Sequence, residues 1–274
     1  MNRPPLWLLL LALVACRTAP AARPENAPTL LALELQIPSQ GLTDFTVRAE
    51  GQVHCPEAAT LERATFELVV EGKVVQSGEL PLSAAVAPGG SAPFVLERTG
   101  RYVGSAAELK AMDARGGSLL IALRGKLWVK RGSTLDVLEY ARSREVRVPR
   151  LPRIKLHDLD AARYAKDEAN GTFYLGVFNP NPFPIKLSGV TYQLSIAGKR
   201  LAEGTLGEGE SVDQAATGVF EVAFAATPAS YGPGLERLIA GLSLPYVLEG
   251  ELKGDLLSEP FKLEGKIQLN PTKK

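Results

Sequence analysis

One ordered set of landmarks occurs twice along this 274-residue chain. Gly72 pairs with Gly198, Gly78 with Gly204, Gly125 with Gly250 and Pro149 with Pro271, at offsets of 126, 126, 125 and 122 residues. The segments between them match as well. Phe66-Glu-Leu-Val-Val-Glu-Gly72-Lys73 lies over Tyr192-Gln-Leu-Ser-Ile-Ala-Gly198-Lys199, Phe94-Val-Leu96 over Phe220-Glu-Val222, and Leu120–Leu127 over Tyr246–Leu252. Solenoid repeats run about 20–50 residues, so a period this long duplicates whole domains. Two domains are expected, residues 30–150 and 151–274, joined at Val148-Pro-Arg-Leu-Pro-Arg153, whose two prolines suit a short, stiff linker.

Inside each repeat the apolar residues alternate. Val190, Tyr192, Leu194 and Ile196 fall on one face of a strand, and Thr191, Gln193 and Ser195 on the other. Ala197-Gly198-Lys199 then turns the chain back. Short strands about ten residues apart predict mainly β structure: two tandem Ig/fibronectin-like antiparallel β-sandwich domains. Each carries one short helix. The first spans Ala106–Arg115, with Ser105 as N-cap and Gly116-Gly117 as its stop. The second covers Leu235–Ala240, with Leu235, Leu238 and Ile239 spaced to face the sheet. A hydrophobic content of 45% with 22% charge is that of a globular chain rather than a disordered one.

The second repeat contains the densest punctuation in the chain, Asn179-Pro180-Asn181-Pro182-Phe183-Pro184-Ile185. Three prolines in five positions can neither feed a sheet ladder nor continue a helix, so the preceding strand ends in an extended corner. This corner, followed by the Tyr192-x-Leu-x-Ile-x-Gly198-Lys hairpin, resembles the WHy (water stress and hypersensitive response) domain of late embryogenesis abundant type 2 proteins. The resemblance covers roughly Pro152 to Pro271. It implies a β-sandwich with one short helix, no catalytic residue and no cofactor. It marks Asn179, Pro180, Asn181, Pro182, Phe183, Pro184, Tyr192 and Gly198 as the family motif. The first repeat departs from that motif, carrying His54-Cys55-Pro56-Glu57 at the corresponding corner.

Residues 1–15 have the form of a targeting peptide. Arg3 precedes an apolar run from Leu6 to Val14, too short to span a bilayer. It ends in Leu13-Val14-Ala15-Cys16, which resembles a bacterial lipobox; in that family the cysteine is acylated and becomes the first residue. The other reading is an ordinary secretory leader. Several acyl chains on Cys16 would give stable anchoring, and residues 16–29, rich in Pro and Ala, would form a flexible tether. By family analogy Arg17 favours the outer membrane, facing the periplasm, over the inner. Cys55 is then left without a partner, as a buried small residue or a reactive thiol.

Residues in arrangements that could carry chemistry are few. Without Arg3 the chain carries 30 basic and 30 acidic residues, which gives no electrostatic attraction for nucleic acid. No nucleophile elbow, phosphate loop or paired Cys-x-x-Cys occurs. Gly207-Glu-Gly209 reads as a turn, and so does Asn170-Gly-Thr172 despite matching a glycosylation sequon. His157 and Asp158 should fall on opposite faces of a strand, as should His54 and Cys55, which argues against a metal site or a thiolate pair. Trp128 is left as core or interface. The chain is therefore expected to be a non-enzymatic, membrane-anchored stress-protective protein that binds proteins or envelope components. The alternative is a periplasmic adaptor, or an apolar-ligand binder with an acyl groove under the helix.

Overall fold

The computed structural model describes residues 26–165, 168–232, 236, 237 and 240–268. Cys16 and the leader lie outside them, as do Leu235, Leu238 and Ile239; of the expected second helix, Glu236 and Arg237 are helical. The elements run β1 (Thr29–Gln40), β2 (Asp44–Cys55), β3 (Ala59–Val70), β4 (Lys73–Val86), β5 (Gly90–Arg101), α1 (Ala106–Arg115), β6 (Ser118–Arg131) and β7 (Thr134–Arg147). Then follow β8 (Arg153–Ala165), β9 (Glu168–Phe178), β10 (Ile185–Lys186), β11 (Gly189–Ile196), β12 (Lys199–Leu206), β13 (Ser211–Val212), β14 (Thr217–Ala226), α2 (Pro228–Tyr231), β15 (Leu244–Gly254) and β16 (Leu257–Ile267).

The molecule is mainly antiparallel β. In the first sandwich a three-stranded sheet β1-β2-β5 covers a four-stranded sheet β4-β3-β6-β7. The second sandwich repeats that plan, with β14-β9-β8 over β12-β11-β15-β16, and adds the small β10-β13 pair. Alternation builds the cores. Along β2, Phe45, Val47, Ala49, Val53 and Cys55 are buried while Arg48 and Glu50 pair at the surface. Each large apolar side chain so buried contributes about 1.5–3 kcal/mol. Along β11, Val190, Leu194 and Ile196 are fully buried and Tyr192 packs half-buried beside them. α1 has the expected bounds: Ser105 Oγ accepts the Glu108 N–H at 3.3 Å, and Gly116 (φ 62°) caps its end.

Of the paired landmark glycines, only Gly72 and Gly198 lie in turns. Gly78, Gly125, Gly204 and Gly250 sit mid-strand. One register row of the first large sheet reads Gly78–Phe66–Gly125–Tyr140, and the matching row of the second reads Gly204–Tyr192–Gly250–Phe261. The rings lie over the glycines: a Cβ on Gly78 would stand 3.0 Å from Phe66, and one on Gly204 would stand 3.1 Å from Tyr192. The period of the sequence thus follows cross-strand packing as well as turns.

Two local expectations are corrected. Asn170-Gly171-Thr172 is strand, paired with Ala225, Phe224 and Ala223. The Asn-Gly turn preference is overridden because the Phe224 ring fills the place of a Gly171 side chain. His157 and Asp158 are both exposed, since a bulge between Leu156 and Asp158 breaks the alternation there.

Candidate functional site

The corner after β9 is an extended segment with a clean period of two. Asn179, Asn181, Phe183, Ile185 and Leu187 are buried; Pro182 and Pro184 are exposed, and Pro180 is half-buried. The prolines face outward, where a missing N–H costs nothing, and fix the extension that drives both asparagines inward.

Asn179 is 0% and Asn181 1% exposed, so their polar groups must find partners within the protein. They do. The Asn179 amide group donates to the carbonyls of Phe183 (2.7 Å), Asp213 (3.0 Å) and Val212 (3.2 Å). Its Oδ1 accepts from the Asn181 backbone N–H at 3.0 Å and from Asn181 Nδ2 at 2.9 Å. Asn181 Nδ2 also donates to the Arg150 carbonyl at 2.8 Å, and its Oδ1 accepts the Arg150 N–H at 2.7 Å. The Asn181 side chain therefore pairs with the linker backbone as a neighbouring strand would. The motif is a clasp whose donors and acceptors are consumed internally; it presents neither asparagine to a ligand. Tyr192 packs half-buried against the core, over Gly204, and Gly198 occupies the β11–β12 turn with φ 77°.

The clasp belongs to a seam between the two sandwiches. Arg150 Nε contacts Asp113 Oδ1 of α1 at 2.7 Å, and the same carboxylate accepts the Leu151 N–H at 3.1 Å. Across the seam, Asp255 in the β15–β16 turn accepts from Thr43 Oγ1 (2.7 Å) and Arg101 (3.0 Å), while Lys110 pairs with Glu259 at 2.9 Å. Apolar contacts interlock too: Leu42 lies in the second core, Leu256 packs on the first, and Leu151 touches both. No one of these contacts was legible from the sequence, since each joins residues far apart in the chain. Asp113→Ala removes the acceptor of the Leu151 N–H and of Arg150. It should cost about 1–2 kcal/mol and speed amide exchange at Leu151. Asp113→Asn, which keeps one acceptor, should lose less; an unchanged exchange rate in the Ala variant would refute the seam's role.

The first-sandwich corner is built differently. Cys55 is 0% exposed and burial pushes its thiol pKa up, partly countered by nearby Arg131. His54 turns the other way, with Nδ1 3.4 Å from Ser91 Oγ. A folded soluble form lacking Cys16 should therefore show no thiol reacting with an aromatic disulfide reagent at pH 8, and one after denaturation. Rapid reaction of the native protein would overturn that burial. Trp128 points outward, half-buried, with the Arg63 guanidinium 4.3 Å above its ring. A groove of about 670 Å³ runs between α1 and the β3–β4 hairpin, walled by Val70, Val74, Val103, Met112 and Leu119.

With the buried clasp defined, comparison with known proteins becomes informative. Residues 174–270 match the late embryogenesis abundant protein family. The matched segment begins in β9, includes both asparagines of the clasp and reaches past β16; the matched family is non-enzymatic. No curated protein sequence matches the chain. Among solved structures, the chain is similar to a protein from Archaeoglobus fulgidus at 14% identity, with a TM-score of 0.35, covering 43% of this chain and 97% of that one. It is also similar to a GH2 beta-galacturonidase from Eisenbergiella tayi bound to glycerol, at 12% identity and a TM-score of 0.28. That likeness covers 85% of this chain but 36% of the length of the enzyme. At such TM-scores neither likeness bears on function.

Proposed function

We propose that the protein is a non-enzymatic lipoprotein of the bacterial cell envelope that protects proteins or other envelope components when water is withdrawn. The observation that carries this reading is the late embryogenesis abundant match over residues 174–270. The sequence before the first sandwich supports the anchor: a short apolar run closed by Ala15-Cys16. Outward-facing prolines and a consumed polar clasp suit a stiff, stable body whose surface rather than a pocket meets its clients. The test takes a soluble form beginning after Cys16, mixed with a freeze-sensitive reporter enzyme and cycled through freezing and drying. Recovery of activity well above that with an equal mass of albumin is expected. Recovery no better than albumin would sink the protectant reading.

The groove beside α1 favours a second reading, an apolar-ligand module. Valines, Met112 and Leu119 line it together with the charged Glu71, Lys73, Arg101, Glu108 and Arg115, and Val74 is 42% exposed. A fluorescent fatty-acid probe should then bind the soluble form, and Val74→Glu should abolish binding. Equal binding by that variant would exclude the groove.

A further inference from the structure

The two sandwiches follow one another head to tail, and each clasps the segment by which the chain enters it. In the second, Asn181 of the corner holds Arg150. In the first, Glu57 of its corner accepts from Asn26 Nδ2 at 3.3 Å. Arg131, of the β6–β7 hairpin, reaches both Glu57 (3.4 Å) and the Asn26 carbonyl (2.9 Å). Gly89 N–H to the Pro56 carbonyl, 3.1 Å, brings the β4–β5 loop to the same pole.

The entry pole of the second sandwich is covered, because its β15–β16 turn, Asp255-Leu256, docks on the first. The entry pole of the first has the same plan, with β6–β7 in place of β15–β16, and nothing among the described residues covers it. Its tips are small and uncharged: Ala58, Ala87-Pro88-Gly89 and Gly132-Ser133 are exposed, and Leu135 beside them is 48% exposed. The charges beside them are paired: Glu57 and Asp136 share Arg131, and Lys130 pairs with Glu62.

We infer that this pole is the face turned to the lipid bilayer, with the second sandwich projecting away from it. The inference rests on the proposed anchoring through Cys16. Nine residues lie between Cys16 and Asn26, so the ten Cα–Cα steps reach at most about 35 Å. A first sandwich of 12–14-residue strands is about 40–45 Å long. The tether is thus shorter than the sandwich is long, which favours approach of the near pole and keeps the second sandwich well clear. With two carboxylates, Glu57 and Asp136, against Arg131, this pole has no electrostatic attraction of its own for anionic headgroups, so contact depends on the anchor.

The test uses full-length, lipidated protein in phosphatidylethanolamine–phosphatidylglycerol vesicles containing brominated acyl chains. A fluorophore is attached at Ser133→Cys in the entry pole or at Arg200→Cys in β12. Flotation with the vesicles, lost in Cys16→Ser, checks the anchor independently. Several-fold stronger bromine quenching at position 133 than at position 200 is expected. Flotation with equal quenching at the two positions overturns the orientation and leaves the anchor standing. Failure to float, or flotation of Cys16→Ser, overturns the anchoring and the orientation with it. A position 133 label shielded from iodide but not quenched by bromine would place a protein there, and also overturns the inference.

Discussion

Replacing Asn179 with Ala is expected to lower stability by about 3–5 kcal/mol, one of the largest losses available to a single substitution here. The change leaves three backbone carbonyls, of Phe183, Val212 and Asp213, short of a donor, and removes the acceptor for two Asn181 N–H groups. A domain is typically stable by about 5–15 kcal/mol, so the urea midpoint should fall sharply. Asn179→Asp should be at least as damaging, because a carboxylate cannot donate and would face those carbonyls with a charge. Asn181→Ala should cost less in the second sandwich but should also free Arg150 of the linker. The exposed Pro182→Ala and Pro184→Ala should each stay within about 1 kcal/mol, acting mainly through the unfolded chain. A midpoint in Asn179→Ala equal to that of the parent would show that the clasp does not hold the fold.

The second large effect is expected at Gly250. A Cβ there would overlap the backbone carbonyl oxygen of Thr191 on the neighbouring strand. Backbone, unlike a side-chain tip, cannot swing aside, so β11 and β15 must part; Gly250→Ala should cost about 3 kcal/mol or more. Gly125→Ala should behave alike, since its Cβ would meet the Thr65 carbonyl oxygen and stand 2.8 Å from the Tyr140 hydroxyl. That hydroxyl donates to the same Thr65 oxygen at 2.8 Å, so the added methyl would crowd the hydrogen bond as well. Gly198 provides the contrast. It has φ 77°, and a methyl there would meet nothing within 4 Å, so Ala should cost about 1–2 kcal/mol through backbone strain alone. Thermal unfolding of the three variants gives the ranking; a Gly250→Ala loss no larger than that of Gly198→Ala would contradict the close-approach account.

Much of the fold was legible because it depends on local pattern. Alternation along β2 and β11 and the capping residues of α1 each act within a few residues, and the paired offsets reflect a common strand plan. The Asn-Pro corner was legible as an extended break, since proline geometry alone requires it. What its asparagines do was not, because Phe183, Val212, Asp213 and Arg150 come from three separate segments. The Asn170-Gly171 turn failed for the same reason: a distant ring, Phe224, decided the local conformation. His157 and Asp158 failed through a bulge, which shifts facing by one residue and leaves no mark in composition.

By itself the sequence determined the β class, the repeated strand order, the short first helix and the extended corner, through steric and hydrophobic periodicities that act over a few residues. Only the tertiary structure decided that both asparagines face inward with no free polar group, that Gly78 and Gly204 lie under aromatic rings while Gly125 and Gly250 face a neighbouring carbonyl, and that Asp113, Arg150 and Asp255 tie the sandwiches together. Those outcomes depend on which backbone groups meet across the fold, and a hydrogen bond or a steric overlap is fixed by distances of a few tenths of an ångström that no linear pattern specifies.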